Sequence, residues 1–147
     1  EEKQLPPETM KQEILDLVEW EKKTFGYYED TTAAEMARTL REKYKRTVEV
    51  RYNFTLEDIK AELAKGYPIV IPAAGRMLGN PNFRQPGPVY HALVIKGYTN
   101  DKFITNDPGT RKGANYLYDF DVLMNAIHDW NKDDINKGRK AIVIVKG

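Results

Sequence analysis

The first part of the chain alternates between amphipathic stretches and short breaks, a pattern that favours helices over strands. In the first stretch the apolar side chains recur every three to four residues, at Met10, Ile14, Leu17 and Val18. Pro6 and Pro7 precede this stretch and Gly26 follows it. The spacing therefore predicts a helix that begins after the prolines and ends near Gly26.

Two further helices are predicted from the residues that open them. Thr32 is followed three residues later by Glu35, a capping box in which the hydroxyl and the carboxylate bond each other's backbone amides. The sequence Thr-Leu-Glu-Asp at residues 55–58 opens a third helix, and Gly66 ends it. Between these two helices, residues 47–52 alternate with a period of two, which predicts a short strand.

From Tyr67 onward the pattern changes to strands, with one helix among them. The predicted strands are Tyr67–Ala73, Val89–Tyr98, Lys102–Asn106 and Ala141–Val145, and the helix is Phe120–Trp130. Pro68 and Pro72 predict that the first of these strands lies at a sheet edge, or that its prolines occupy strand ends. Helices first and tightly connected strands afterwards predict an α+β fold with a mostly antiparallel sheet. No internal linker divides residues 1–147, so we expect a single domain.

The longest irregular stretch, Ala74–Pro88, leads directly to the first of only two histidines, His91. Loops of this length without regular structure are uncommon and often close over a binding site. The stretch is therefore either a binding loop or a variable surface excursion. Its glycines do not form a phosphate-binding loop, because no Gly-Lys-Ser/Thr sequence follows them.

His91 and Asp107 lie on consecutive predicted strands. A three-residue loop centred on Thr99 would set the two residues directly opposite each other on one face of the hairpin. A carboxylate could then bind one imidazole nitrogen and leave the other free as a base. A two-residue turn at Asn100–Asp101 would instead place the two side chains on opposite faces.

Each of these residues also has an ordinary structural interpretation. His91 could be a hydrogen-bonded histidine within a sheet, since most titratable groups are not catalytic. Asp107 lies in the sequence Asn-Asp-Pro-Gly, which forms β-turns in its own right. His128, in the predicted helix over Phe120–Trp130, is interpreted as a half-buried structural histidine.

Composition narrows the possible functions. With 23 basic and 22 acidic residues the net charge is +1, which argues against a nucleic-acid partner. No apolar run reaches the roughly 20 residues of a membrane-spanning helix, so we expect no membrane contact from this segment. Cysteine is absent, and two histidines alone give no zinc site, so we expect no metal or other cofactor. Serine is absent as well, which excludes a Ser–His–Asp triad.

Longer segments of the sequence resemble the papain-like cysteine peptidases, and most of all the group related to the bacteriocin leader-processing peptidases of clan CA, family thirty-nine. The similar segments are TTAAEMARTL, TLEDIKAELAKGYPIVIPAAGR, HALVIKGY, FITNDPG and AIVIV. They follow the family's order and cover most of the chain. The resemblance implies a papain-like fold, a peptide or protein substrate, and a Cys–His–Asp triad with His91 as base and Asp107 as its orienting residue.

The chain departs from that family because it contains no nucleophilic cysteine. In the family this cysteine opens a helix near the N-terminus, and we expect that helix to precede Glu1, which makes the domain N-terminally incomplete. The chain as given should then be inactive as a peptidase. A noncatalytic peptide-binding or regulatory domain of the same fold is the alternative, and amide or acyl transfer is a third possibility. The resemblance also implies an extracellular or cell-envelope location.

Overall fold

The computed structural model of the chain describes residues 5–147, which form four α-helices and six β-strands. The helices are α1 (Pro7–Phe25), α2 (Ala33–Glu42), α3 (Leu56–Ala64) and α4 (Phe120–Ala126). The strands are β1 (Val48–Arg51), β2 (Ile69–Ala74), β3 (Tyr90–Tyr98), β4 (Lys102–Asn106), β5 (Tyr116–Asp119) and β6 (Ile142–Val145). Three of the four helices precede β2, and the predicted α+β class is confirmed.

The chain divides into two compact units, residues 1–31 and residues 32–147. The first contains α1, which begins at Pro7 because proline suits the first helical turn. Gly26 ends α1 in a left-handed conformation, as predicted. The second unit contains every other helix and strand. That the 147 residues form one domain stays a prediction.

The second unit is built on one antiparallel sheet with the strand order β1-β6-β2-β3-β4-β5. The last strand of the chain lies between β1 and β2, in the interior of the sheet. Its apolar run Ile142–Val145 suits that place, because a strand covered on both faces does not need to alternate with polar residues.

The interior strands contribute to two hydrophobic cores, because successive residues of a strand point to opposite faces. On one face Ile71 and Leu93 pack with the apolar residues of α3 and α4. On the other face Val143 packs with Ala37 of α2. His91 lies two residues before Leu93 and therefore belongs to the face that α3 and α4 cover.

Both predicted helix starts are confirmed in detail. The hydroxyl of Thr32 accepts from the Glu35 amide at 3.2 Å, and the Glu35 carboxylate accepts from the Thr32 amide at 2.9 Å. Thr55 and Asp58 form the same reciprocal pair at the start of α3. Capping of this kind contributes about 1 kcal/mol per helix. These two capping pairs fix where α2 and α3 begin.

β2 does not lie at a sheet edge, since it pairs with β6 on one side and β3 on the other. The alternative, prolines at strand ends, is confirmed for Pro68, which directly precedes β2. Pro72 is tolerated within β2 because β6 pairs only with Ile69 and Val70, so Pro72 lies beyond that ladder. The Pro72 carbonyl accepts from the backbone amide of His128 at 3.2 Å. In an antiparallel strand the amide and the carbonyl of one residue point to the same side. On that side Pro72 lies beyond the β6 ladder, so its missing N–H breaks no bond between β2 and β6.

The predicted helix over Phe120–Trp130 is too long, because α4 ends at Ala126. Ile127 adopts an extended conformation and forms a β-bridge with Ala73. His128 therefore lies outside α4, so its predicted place in a helix is wrong. Its side chain is buried.

Candidate active site

The hairpin that carries His91 and Asp107 does not have the predicted three-residue loop. Thr99 donates its amide to the carbonyl of Lys102 at 2.8 Å, and Tyr98 pairs with Phe103. The connection is therefore a two-residue turn, Asn100–Asp101. In an unbroken ladder this turn would place His91 and Asp107 on opposite faces of the sheet.

A β-bulge in β3 restores the two residues to the same face. Ile95 pairs with Thr105 while Gly97 pairs with Ile104, so Lys96 is an extra residue on this strand. Beyond the bulge Val94 pairs with Asn106, and the same register places Leu93 opposite Asp107. His91 is thus the diagonal neighbour of Asp107 rather than the residue directly opposite. Diagonal neighbours remain within reach of a long or aromatic side chain.

The two side chains meet in a short hydrogen bond. Nε2 of His91 lies 2.6 Å from Oδ1 of Asp107. The carboxylate side chain has no exposed surface, whereas the imidazole is 12% exposed. Nδ1 of His91 forms no hydrogen bond with any residue in the range 5–147 that the structure describes. The arrangement holds one ring nitrogen and leaves the other available to an incoming group.

Three further groups hold the Asp107 backbone and carboxylate. The Gly109 amide donates to Oδ1 at 2.8 Å, and the Tyr118 hydroxyl donates to Oδ2 at 2.6 Å. The Asp107 amide donates to the carbonyl of Gly113 at 3.0 Å. The bond from Gly109 is the side-chain bond of an aspartate turn, so Asp107 shapes the turn and contacts His91 with the same oxygen.

These contacts keep Asp107 ionised. Burial, the largest single influence, raises the pKa of Asp107, but the hydrogen bonds from His91, Tyr118 and the Gly109 amide together lower it by more. The net result is a pKa below the ordinary range for an aspartate. A buried carboxylate that remains charged beside an imidazole favours a proton on the imidazole nitrogen that faces it.

The lowered pKa of Asp107 predicts how the stability of the fold depends on pH. Its stabilising effect is fully present above the unfolded-state pKa of about 3.9 and is lost as the pH falls through the lower folded-state pKa. We therefore expect the wild type to be more stable than Asp107→Asn at pH 5, with a difference that shrinks steadily toward pH 3. Urea unfolding of both proteins at several pH values measures this difference. A difference that stays constant between pH 5 and pH 3 would contradict the expectation.

The long loop before His91 packs against the imidazole. It begins with a 3₁₀ turn, Gly75–Leu78, and continues to Phe83, which is buried. The rings of Phe83 and His91 meet edge to face, with centroids 5.4 Å apart. A Cβ atom at Gly109 would lie 2.8 Å from Phe83 and 3.0 Å from His91, so only glycine leaves room for this contact. The glycine of the Asp-Pro-Gly sequence thus serves the packing around the imidazole.

The sequence patterns do not identify two side chains that take part in this cluster. Tyr118 lies on β5 and Asn80 in the loop, and both are buried. Nδ2 of Asn80 donates to the Tyr118 hydroxyl at 2.9 Å. Tyr118 belongs to the sequence Tyr-Leu-Tyr at residues 116–118. That sequence forms the edge strand β5, and nothing in its pattern identifies the hydroxyl contact to Asp107.

The second histidine makes no hydrogen bond to His91 or Asp107 in the described part of the chain. Nδ1 of His128 donates to the carbonyl of Gly138 at 2.8 Å, which ties together two segments of the loop between α4 and β6. The neighbouring Asp129 accepts from the amide of Ala33 at 2.8 Å and so helps to anchor the start of α2. Both residues are buried and hold the backbone in place.

Neither a metal site nor a membrane span is found in the described part of the chain. Among residues 5–147, no three or more acidic or histidine side chains are grouped in a way that could hold a metal ion. No helix within the same range has both the length and the apolar composition needed to cross a bilayer.

Comparison with known proteins places this chain in a family. The sequence profile of the Peptidase_C39 like family matches residues 2–134. The chain belongs to this family. Its resemblance to the family-thirty-nine cysteine peptidases, inferred from segments that cover most of the chain, is confirmed. A search of curated proteins found no match.

The fold of this C39-like chain is also similar to a crystal structure. A Bacillus anthracis protein described as a C39-like peptidase superposes with a TM-score of 0.57 at 14% sequence identity. The superposition covers 82% of this chain and 64% of that protein, so the chain spans less than two thirds of its length. At this identity the similarity establishes the fold, a mixture of helices and an antiparallel sheet. Family and fold together identify a peptidase-type domain.

Proposed function

We propose that this C39-like chain provides the base of a cysteine peptidase, with His91 as the general base and Asp107 as its orienting residue. The observation that carries the proposal is the 2.6 Å contact between Nε2 of His91 and the buried carboxylate of Asp107, with Nδ1 left unbonded among residues 5–147. A positioned imidazole that is held at one nitrogen and open at the other is what thiol activation requires.

In the proposed reaction Nδ1 of His91 accepts the proton of a cysteine thiol. The thiolate adds to the carbonyl carbon of a peptide bond, and the imidazolium then gives its proton to the departing amine as the C–N bond breaks. The resulting thioester is hydrolysed by a water molecule that gives a proton to His91, and the thiol is released. Asp107 remains ionised throughout and stabilises the imidazolium.

The thiol is the one component that this sequence does not contain. None of the 147 residues is a cysteine, and no serine is present to replace it. The chain alone is therefore expected to bind peptides without cleaving them, and the thiol would come from residues outside the printed sequence. The same observation favours the second candidate function, a noncatalytic peptide-binding or regulatory domain that retains the fold.

Cleavage of an unstructured protein distinguishes the two functions. The product of the complete reading frame that encodes these residues is incubated with casein, and the fragments are followed by mass spectrometry. The 147-residue chain serves as the matched control that lacks a thiol. The peptidase function predicts fragments from the complete product and none from the chain. Binding without fragments in both samples would instead support the noncatalytic function.

A further inference from the structure

We propose that Tyr118 and Asn80 are positioning residues that fix the proton of His91 on Nε2 and thereby keep Nδ1 free to act as a base. The catalytic meaning of this inference rests on the proposed function. Its structural content, the position of one proton, does not depend on it.

Tyr118 acts directly on Asp107. Its hydroxyl lies 2.6 Å from Oδ2, and the residue is only 3% exposed. Burial and the adjacent carboxylate both raise the pKa of Tyr118, so its hydroxyl keeps its proton and serves as a donor. A hydroxyl has a single proton to donate. Tyr118 therefore donates a hydrogen bond to Oδ2 of Asp107 only if its hydroxyl proton points toward that oxygen rather than toward another acceptor.

Asn80 determines the direction of that proton. Its Oδ1 accepts from the backbone amide of Asn82 at 2.8 Å, which fixes the orientation of the side-chain amide. Its Nδ2 is then the atom that faces the Tyr118 hydroxyl, at 2.9 Å. Because an amide nitrogen can only donate, the hydroxyl oxygen accepts from Asn80 and must send its own proton to Asp107.

The carboxylate is in this way surrounded by donors. Oδ2 accepts from Tyr118, while Oδ1 accepts from the Gly109 amide and lies 2.6 Å from His91. An ionised carboxylate held by two other donors can bond the imidazole only as an acceptor, so Nε2 carries the proton. Asn80 and Phe83 come from the same loop, which therefore sets both the tautomer and the packing of His91.

Nuclear magnetic resonance of the ¹⁵N-histidine-labelled chain tests this inference without a nucleophile or a substrate. The measurement follows the His91 Nε2–H proton and the two ring-nitrogen shifts, at a pH above the observed titration of the ring. Tyr118→Phe and Asn80→Leu remove the two contacts. Tyr116→Phe is the matched control, since it removes the neighbouring hydroxyl from the same strand.

We expect a protected Nε2–H proton in the wild type and in Tyr116→Phe. In Tyr118→Phe and Asn80→Leu its exchange with water should be about tenfold faster, the factor expected when a carboxylate loses one hydrogen bond. Exchange in Tyr118→Phe equal to that in the wild type would overturn the inference. The dispersion of the backbone amide spectrum shows whether each variant is folded. If Tyr118→Phe is unfolded, the exchange rate in Asn80→Leu tests the inference in its place.

The outcomes separate this inference from the proposed function. A wild-type His91 with its proton on Nδ1 would overturn both, since no base would then face the substrate. Unchanged exchange in Tyr118→Phe and Asn80→Leu, with the wild-type proton on Nε2, would overturn the positioning role alone. In the product of the complete reading frame, the positioning role further predicts a lower kcat for Tyr118→Phe with little change in KM.

Discussion

Replacing His91 with alanine in the product of the complete reading frame is expected to lower the rate of peptide cleavage by about 10³-fold or more. The imidazole is the group whose open nitrogen removes the thiol proton in the proposed reaction. The buried carboxylate of Asp107 cannot replace it, because it is surrounded by donors from other residues. Cleavage is measured as the initial rate of fragment formation.

His128→Asn is the matched control, since it removes the other imidazole and retains a donor for the Gly138 carbonyl. This variant should cleave at a rate close to that of the wild type. Added imidazole should restore part of the activity of His91→Ala if the cavity left by the substitution admits it. A His91→Ala protein that is folded and cleaves at the wild-type rate would show that His91 is not the base.

Gly113→Ala is expected to destabilise the fold by about 3 kcal/mol and to separate Asp107 from His91. An alanine Cβ would lie 1.6 Å from the carbonyl oxygen of Asp107 and 3.1 Å from that of Thr110. Both atoms belong to the backbone, so the turn has to move rather than a side chain. Movement of the turn breaks the bond from the Asp107 amide to the Gly113 carbonyl.

Chemical denaturation measures the free energy of unfolding, and the His91 Nε2–H resonance reports whether the contact with Asp107 survives. Gly97→Ala is the matched control, since its Cβ would make only an ordinary contact, at 3.6 Å from Ile104. We expect that variant to change the stability by less than about 1 kcal/mol. A stable Gly113→Ala protein with an intact His91 resonance would contradict the role assigned to this turn.

Most of the helices could be predicted because their signals are local. The threonine caps at Thr32 and Thr55 bond backbone amides, and the terminating Gly26 bonds a backbone carbonyl, each within about one helical turn. The end of α4 could not be found in this way. It depends on the bridge between Ile127 and Ala73, two residues far apart in the sequence.

In the hairpin between β3 and β4, the sequence predicted the correct pair of residues, His91 and Asp107, from an incorrect strand register. The sequence around Thr99 does not specify the turn length, and the glycine that often marks a bulge, here Gly97 beside Lys96, does not fix where the extra residue lies. The two differences from prediction, a shorter turn and an extra strand residue, together preserve the shared face of His91 and Asp107. Their contact is therefore diagonal, and only the three-dimensional ladder reveals it.

The rest of the candidate site depends on tertiary contacts that no sequence pattern records. Asn80 and Phe83 lie in an irregular loop, and Tyr118 lies on an edge strand where tyrosine is common for packing alone. The side chains become recognisable as a cluster only once Asp107 is placed among them. The sequence therefore predicted the two residues that carry the proposed chemistry, but it did not predict the residues that hold them in place.

The most direct test of the central claim is the reactivity of a thiol beside His91. The product of the complete reading frame and its His91→Ala variant are treated with iodoacetamide near neutral pH, and the modified cysteine is identified by mass spectrometry. An adjacent imidazolium stabilises a thiolate, so we expect one cysteine that is alkylated at least about tenfold faster in the wild type than in the variant. Equal alkylation rates in the two proteins, or a reading frame without a cysteine, would contradict the assignment of His91 and Asp107 to a cysteine peptidase.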